Sequence, residues 1–151
     1  MAEGDFQMND MRIGGAAKRV EDARLLQGRG RYLDDVTELN QARAFVLRSP
    51  HAHAKILSID TADAKKAPGV LAVLTAEDVA ARGLGRLHPS AARKRSDGSD
   101  GFVTPRPLLA DQRVRFAGEA VAFVVAETKA AAQDAAELIQ VDYETLPVVA
   151  S

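Results

Sequence analysis

The sequence predicts an α+β fold around one core, and three features of the chain support this prediction. A length of 151 residues suits a single domain, and 46% hydrophobic with 27% charged residues is typical of globular proteins. Apolar and capped segments follow the order β-β-α-β-α-loop-β-β-α-β. Too few strands are separated by full crossover helices for a doubly wound sheet. We therefore expect a mixed sheet with about three short helices.

Six strands are expected from the placement of apolar and β-branched residues. The first two are separated only by a short segment containing Ser49-Pro50, and we expect them to be adjacent. The fifth strand is entirely apolar, which is typical of a strand buried on both faces. The predicted strands are 42–48, 55–60, 70–74, 112–116, 120–126 and 140–144.

Three helices are expected from capping residues and from one apolar stripe. Thr61 can cap a first helix, which Pro68 must end because proline cannot continue the hydrogen-bond ladder. Thr75 and Asp78 have the spacing of a capping box for a second helix, and Thr128 can cap a third. The first two helices are predicted at 62–67 and 77–81. In the third, the predicted buried stripe is Ala131, Ala135, Leu138 and Ile139, opposite Lys129, Gln133, Asp134 and Glu137.

Residues 82–107 are predicted to form a long loop, because glycine, proline and serine are dense there and offer little apolar surface to bury. Loops of this length inside a domain are usually functional or mobile. The Arg93-Lys94-Arg95 cluster within it could hold a phosphate. A solvated charged face is the favoured interpretation, because no aromatic residues are interleaved with these charges.

Composition excludes several classes of function. Twenty basic and twenty-one acidic side chains give a net charge of -1, so no overall field attracts nucleic acid or anionic lipid. The absence of cysteine excludes thiolate zinc sites, iron-sulfur ligation and cysteine nucleophiles within this chain. No apolar run approaches a membrane span and no signal peptide is evident, so a cytoplasmic location and no membrane span are expected.

Two histidines and a serine form the first candidate site. His51 and His53 would face the same side of an extended segment and could share a metal, yet no third ligand completes a characteristic spacing. Ser49, His51 and Asp60 are the residue types of a hydrolase triad, but no nucleophile-elbow motif surrounds the serine. Ordinary packing and hydrogen bonding are favoured for these residues.

Three further motifs each have a functional interpretation and a structural one. Gly28-Arg-Gly30 could be a phosphate-binding turn, but no strand precedes it and a structural turn is favoured. Asp34-Asp35 could act as paired acids, although such carboxylates more often cap backbone amides or meet arginines such as Arg29 and Arg31. Glu119 could be a functional acid if partly buried, and a strand-edge carboxylate is the favoured alternative.

Six motifs occur along the chain in an order and spacing shared with one family. The motifs are Arg19–Gly28 (RVEDARLLQG), Tyr32–Asp35 (YLDD), Arg48–Asp60 (RSPHAHAKILSID), Pro68–Asp78 (PGVLAVLTAED), Arg115–Ala126 (RFAGEAVAFVVA) and Val141–Val148 (VDYETLPV). Together they resemble the xanthine dehydrogenase and aldehyde oxidase group of molybdenum hydroxylases. The chain most resembles the carbon monoxide dehydrogenase large chain, but the 82–107 loop and Gly118 depart from that branch, so a generic molybdenum hydroxylase is predicted.

The resemblance implies a fold and a place in a larger enzyme. It implies the α/β-hammerhead domain at the start of the molybdopterin-binding subunit, with residues 1–11 as a flexible N-terminus and 12–151 as the domain. It also implies a molybdenum-pterin cofactor elsewhere in that subunit, and FAD and iron-sulfur clusters in partner subunits or domains. Residues 49–54 and Gly118-Glu119 match family signatures without an assigned catalytic role. No catalytic, cofactor-binding or metal-binding residue is therefore assigned within this chain.

Two functional hypotheses follow from these observations. In the first, the chain is one domain of an oxidoreductase that hydroxylates carbon with oxygen from water, or oxidises carbon monoxide, and the domain itself is a scaffold. The apolar end at 141–151 favours this hypothesis, since it predicts that a longer chain continues there. In the second, the chain is a stand-alone interaction module that binds a partner through the 82–107 loop.

Overall fold

The computed structural model describes residues 19–89 and 93–149, so the flexible start predicted for 1–11 lies outside the described residues. The chain divides into two units, Met1–Leu39 and Asn40–Ser151. In the first unit, helix α1 (Asp22–Leu26) is followed by a 3-10 turn (Leu33–Asp35). Neither element was predicted from the sequence, because none of their residues is buried and no apolar periodicity marks them.

The described residues of the second unit form six strands and three helices, in the order predicted. The strands form two three-stranded sheets, β1-β5-β3 (the first sheet) and β4-β2-β6 (the second sheet). Every strand pairing in the two sheets is antiparallel, and the α+β class is confirmed. The prediction of a mixed sheet is wrong, because neither sheet contains a parallel pair. The elements are β1 (Arg43–Arg48), β2 (Ala54–Asp60), α2 (Ala62–Lys66), β3 (Val70–Leu74), α3 (Ala76–Ala81), β4 (Arg113–Val114), β5 (Ala120–Ala126), α4 (Lys129–Glu137) and β6 (Gln140–Thr145).

Strands β1 and β2 are not neighbours, which corrects the prediction that they are adjacent. Strand β1 pairs with β5 in the first sheet, whereas β2 lies between β4 and β6 in the second. The segment 49–53 carries the chain from the first sheet to the second, and the segment 115–119 carries it back. Local apolar patterns identify strands but not their partners, because pairing depends on contacts between distant residues.

The main core lies between the first sheet and helices α2 and α4. Strand β5 is the central strand, and the predicted burial of both its faces is confirmed by fully buried Val121 and Ala122. On α4 the buried residues are Ala132, Ala135 and Ala136, and Ile139, just beyond the helix, is also buried. Leu138 is 45% exposed, contrary to the prediction, because α4 ends at Glu137 and Leu138 is its C-cap. Small alanines allow α4 to lie close to the sheet.

A second cluster of buried residues lies under the second sheet and is formed by Ala54, Ala110, Val114 and Val121. Ile59 and Val141 pack against both clusters. The opposite face of this sheet is polar, with a Lys55–Glu144 ion pair at 3.0 Å. No helix among the described residues is long and apolar enough to cross a membrane.

Two of the three predicted helix caps are confirmed. The Thr128 hydroxyl accepts the Ala131 N–H at 3.1 Å, and the Asp78 carboxylate accepts the Thr75 N–H at 2.8 Å. This second bond is the main cause that lowers the pKa of Asp78. Thr61 makes no side-chain cap, which corrects the third prediction. The preceding residue supplies it instead, since the Asp60 carboxylate accepts the Ala62 N–H at 2.8 Å.

The 82–107 segment contains no named helix or strand in its described parts, as predicted, but it is internally bonded. Leu87 and Arg106 exchange two backbone hydrogen bonds of 2.8 and 2.9 Å near its base. Further out, the Gly101 N–H donates to the Arg93 carbonyl at 2.7 Å. The Arg86–Asp111 ion pair, at 2.7 Å, ties the base of the loop to the segment preceding β4. In its described parts, the outgoing and returning segments of the loop are therefore joined by backbone hydrogen bonds.

Candidate functional site at the junction of the two links

The two segments that pass between the sheets are hydrogen-bonded to each other. The Ser49 N–H donates to the Glu119 carbonyl at 2.9 Å, and the Gly118 N–H donates to the Ser49 carbonyl at 2.8 Å. The Arg48 guanidinium donates to the Gly118 carbonyl at 2.8 Å. Gly118 has φ +87°, a left-handed conformation that favours glycine. The structure thus joins the two family-signature segments, 49–54 and Gly118-Glu119, into one feature that we call the link junction.

Glu119 is the buried acid of the link junction, with 7% of its surface exposed. Its carboxylate accepts the backbone N–H of Arg115, and the Arg115 guanidinium lies 3.4 Å from it. The same guanidinium is 3.9 Å from Asp111. The carboxylate therefore closes the turn between β4 and β5. Glu119 was a candidate acid in the sequence, and in the structure its partner is Arg115, four residues earlier in the same turn.

Ser49 and His51 are both at the link junction, but not as members of a triad. Ser49 is 3% exposed, and its hydroxyl accepts the His51 backbone N–H at 3.0 Å. The His51 ring packs edge-on against Tyr143, with ring centroids 4.8 Å apart. Asp60 lies at the far end of β2, where its carboxylate caps α2. The structure therefore does not assemble the hydrolase triad.

Tyr143 on β6 completes the link junction, and the sequence analysis missed it. Its ring packs edge-on against the His51 ring, and its phenol is near the Ser49 side chain. Burial raises the pKa of the Tyr143 phenol, and the nearby Ser49 side chain offsets part of that shift. Two signals were available: its position in the predicted last strand, two residues after Val141, and its place in the Val141–Val148 motif.

The rings of His51 and His53 are not placed to bind one metal ion together. The His53 ring bonds through Nδ1 to the Pro147 carbonyl at 2.9 Å, while the His51 ring packs against Tyr143. In the part of the chain that the structure describes, no group of three or more His, Asp or Glu side chains could hold a metal ion. The described side chains of the link junction therefore offer no clustered ligands for a directly bound metal ion.

The glycine and aspartate motifs of the first unit have structural roles. Gly28, with φ +66°, follows α1, and its N–H donates to the Leu25 carbonyl at 3.0 Å. The next amide, Arg29 N–H, donates to the Arg24 carbonyl at 3.0 Å, which completes a Schellman motif. Asp35 accepts the Tyr32 N–H at 2.9 Å and so caps the 3-10 turn. Both observations agree with the favoured structural interpretations.

The Arg93-Lys94-Arg95 cluster is exposed, and Lys94 lies 3.9 Å from Asp100. The hairpin turn here is tightened by Asp97, whose carboxylate accepts the Ser99 N–H and hydroxyl at 2.9 and 2.6 Å. These bonds from Ser99 lower the pKa of Asp97. This geometry matches the favoured solvated face.

Comparison with known proteins gives one consistent result. A family model described as the α/β hammerhead domain of aldehyde oxidase and xanthine dehydrogenase matches residues 27–147. The chain belongs to this family. It is 47% identical over 137 residues to the carbon monoxide dehydrogenase large chain of Afipia carboxidovorans, covering 91% of this chain and 16% of that protein. The recognised family and the hammerhead fold are thereby confirmed.

Two further comparisons extend this result. The nicotine 6-hydroxylase large subunit of Paenarthrobacter nicotinovorans is 44% identical over 137 residues, covering 91% of this chain and 16% of that protein. The crystal structure of quinoline 2-oxidoreductase from Pseudomonas putida 86 matches with a TM-score of 0.77 and 46% identity, covering 91% of this chain and 17% of that one. These relatives are oxidoreductases, and the hammerhead chain spans about a sixth of their length.

Proposed function

We propose that this hammerhead chain is a scaffold domain, extending over residues 12–151, of a molybdenum hydroxylase large subunit. The single observation that supports this role most strongly is the link junction. There the segments that match the family signatures bond to each other: Ser49 to Gly118 and Glu119, and Glu119 to Arg115. These hydrogen bonds join the two segments that connect the sheets, and so they fix the position of one sheet relative to the other. The proposed role of the chain is therefore to present a rigid surface to the rest of the subunit.

The relatives support a role that does not select the substrate. This chain is 47% identical to a carbon monoxide dehydrogenase chain and 44% identical to a nicotine 6-hydroxylase chain, although the two names specify unrelated substrates. A domain that set substrate choice would differ more sharply between them. We therefore assign substrate selection to the remainder of the parent subunit.

The parent enzyme in this proposal is an oxidoreductase that hydroxylates a carbon centre with oxygen from water, or oxidises carbon monoxide. As the family resemblance implies, the molybdenum-pterin cofactor is held by other parts of the large subunit. The FAD and iron-sulfur centres are held by partner subunits or domains, and the assembly is cytoplasmic. This chain contributes packing and carries none of the electron-transfer groups.

The proposal can be tested by producing the 151-residue chain in a host that makes molybdenum cofactor. We expect molybdenum far below one atom per chain and no dye-reducing activity with carbon monoxide, nicotine or xanthine. An intact molybdenum hydroxylase purified from the same host is the positive control. Stoichiometric molybdenum on the 151-residue chain would overturn the scaffold role.

A second candidate function, a stand-alone interaction module, is favoured by one observation on the 82–107 loop. Phe102 is 87% exposed beside the basic cluster Arg93-Lys94-Arg95, which combines an apolar and a cationic contact on one hairpin. Replacing 88–105 by a short Gly-Ser turn retains the Leu87–Arg106 bridge. If a specific partner binds equally well after this replacement, the loop is not its binding surface.

A further inference from the structure

Strand β3 has one backbone edge without a partner. It is a terminal strand of the first sheet and pairs on its other side with β5. Among the described residues, no backbone group outside β5 is hydrogen-bonded to residues 71–74. An unpaired edge of this kind is a template for another strand.

The other edge strands carry charged side chains, which are a known protection against unwanted pairing. Strand β1 has Arg43 and Arg48, β4 has Arg113, and β6 has Asp142 and Glu144. Strand β3 reads Val-Leu-Ala-Val-Leu and has no charge, no proline and no polar residue. It is therefore the one edge strand of the two sheets whose sequence permits pairing.

A groove of about 260 Å³ runs along this edge. It is lined by all five residues of β3 together with Lys65, Asp78 and Arg82. Side chains of consecutive strand residues point to opposite faces, so a groove that touches all five must follow the backbone edge. The leucine at its rim, Leu71, is 58% exposed.

The charged side chains around the groove favour an acidic occupant. The Asp78 carboxylate accepts the Thr75 N–H and lies 3.9 Å from the Arg82 guanidinium. Lys65 makes no ion pair within 4.0 Å among the described residues, although, after the Thr75 N–H bond, its charge is one of the causes that lower the pKa of Asp78. Together, Lys65, Asp78 and Arg82 give the groove one net positive charge. A second copy of the chain would bring the same net charge, whereas an acidic segment is complementary.

We propose that the free edge of β3 binds an extended segment of another polypeptide that carries a carboxylate side chain. The segment adds as a fourth strand of the first sheet, with backbone hydrogen bonds to β3 and an ion pair to Lys65. This inference rests on the free edge of β3 and on the charged side chains beside it, and it does not depend on the proposed function.

The test uses the ¹⁵N-labelled 151-residue chain and a capped peptide, acetyl-Thr-Val-Glu-Val-Glu-Val-Thr-amide, titrated by NMR. We expect the largest amide shifts and slowed hydrogen exchange at residues 71–74. The same peptide with lysine in place of both glutamates should bind at least about fivefold more weakly, because the loss of one exposed ion pair alone costs up to about fivefold and the lysines add repulsion from Lys65. A peptide with every internal amide N-methylated has no N–H on either edge, cannot form the backbone ladder and should not bind.

Two charge-reversal variants complete the design. Lys65→Glu should reverse the preference, so that the lysine peptide binds more tightly than the glutamate peptide. Lys66→Glu is the matched control, because Lys66 is on the same helix, is exposed, lies near Asp63 and does not line the groove. Equal effects of the two variants, equal binding of the methylated peptide, or shifts centred elsewhere would overturn the proposal. Concentration-dependent shifts at 71–74 without peptide would instead identify a second copy as the occupant.

Discussion

Glu119→Ala should lower the free energy of unfolding by about 2 kcal/mol, because it removes the acceptor that closes the turn between β4 and β5. Glu119 is 7% exposed and accepts the Arg115 backbone N–H. A hydrogen bond to a charged group contributes about 1.5–3 kcal/mol. We discount the second contact, to the Arg115 guanidinium, since it is 3.4 Å long and that side chain is 44% exposed.

Glu119→Gln retains an oxygen that can accept the same N–H but removes the charge, so we expect a cost of about 1 kcal/mol, half that of the alanine variant. Urea unfolding at neutral pH, followed by circular dichroism, gives both values. At about 2–4 °C per kcal/mol, the alanine variant should also melt about 4–8 °C lower than the parent chain.

The matched control is Glu137→Ala, at the exposed end of α4, for which a change within about 0.5 kcal/mol is expected. The slope of free energy against urea should be the same for all variants, since the surface exposed on unfolding is unchanged. If Glu119→Ala costs no more than Glu137→Ala at equal slope, the carboxylate does not hold the link junction and our reasoning is refuted.

Three further predictions concern caps and titrating groups. Thr128→Ala should cost about 1 kcal/mol in urea unfolding through the loss of an N-cap bond, and a change below about 0.3 kcal/mol would contradict the cap. The Thr75 N–H lowers the pKa of Asp78 in the folded chain, so its contribution is present above the unfolded pKa of about 3.9 and is lost as pH falls through the folded value. Asp78→Asn should therefore be less stable than the parent chain at neutral pH, with the difference shrinking in acid; a constant difference would argue against this linkage. The phenol of Tyr143 has a raised pKa, so ultraviolet titration of a Tyr32→Phe variant should show ionisation above the ordinary value of about 10, and ionisation at or below it would show that the ring is not buried.

The order of the elements from β1 to β6 was predictable from the sequence because each carries a local signal. The all-apolar β5 and the Thr128 cap are examples, and both are confirmed. Helix α1 was missed because its residues are exposed and leave no apolar pattern. The exposure of Leu138 was missed because spacing alone does not fix the residue at which a helix ends.

Sheet pairing and the link junction could not be predicted in the same way. The sequence indicated Ser49, His51 and Glu119 one by one, but Ser49 and Glu119 are 70 residues apart in the chain, and their contact depends on β1 pairing with β5. The same nonlocal pairing places β2 in the second sheet and leaves the edge of β3 free. Motif resemblance identified the family, and the structure was needed to show that its matched segments bond to one another.

The central claim is that this chain is a scaffold domain of a larger oxidoreductase subunit. The most direct test is the mass of the native polypeptide, measured by immunoblot of its source cells with an antibody raised against residues 19–89. We predict a band several times heavier than the 16.1 kDa of this chain, since the chain spans about a sixth of its relatives. A single band at 16.1 kDa would contradict the account and would favour the stand-alone interaction module.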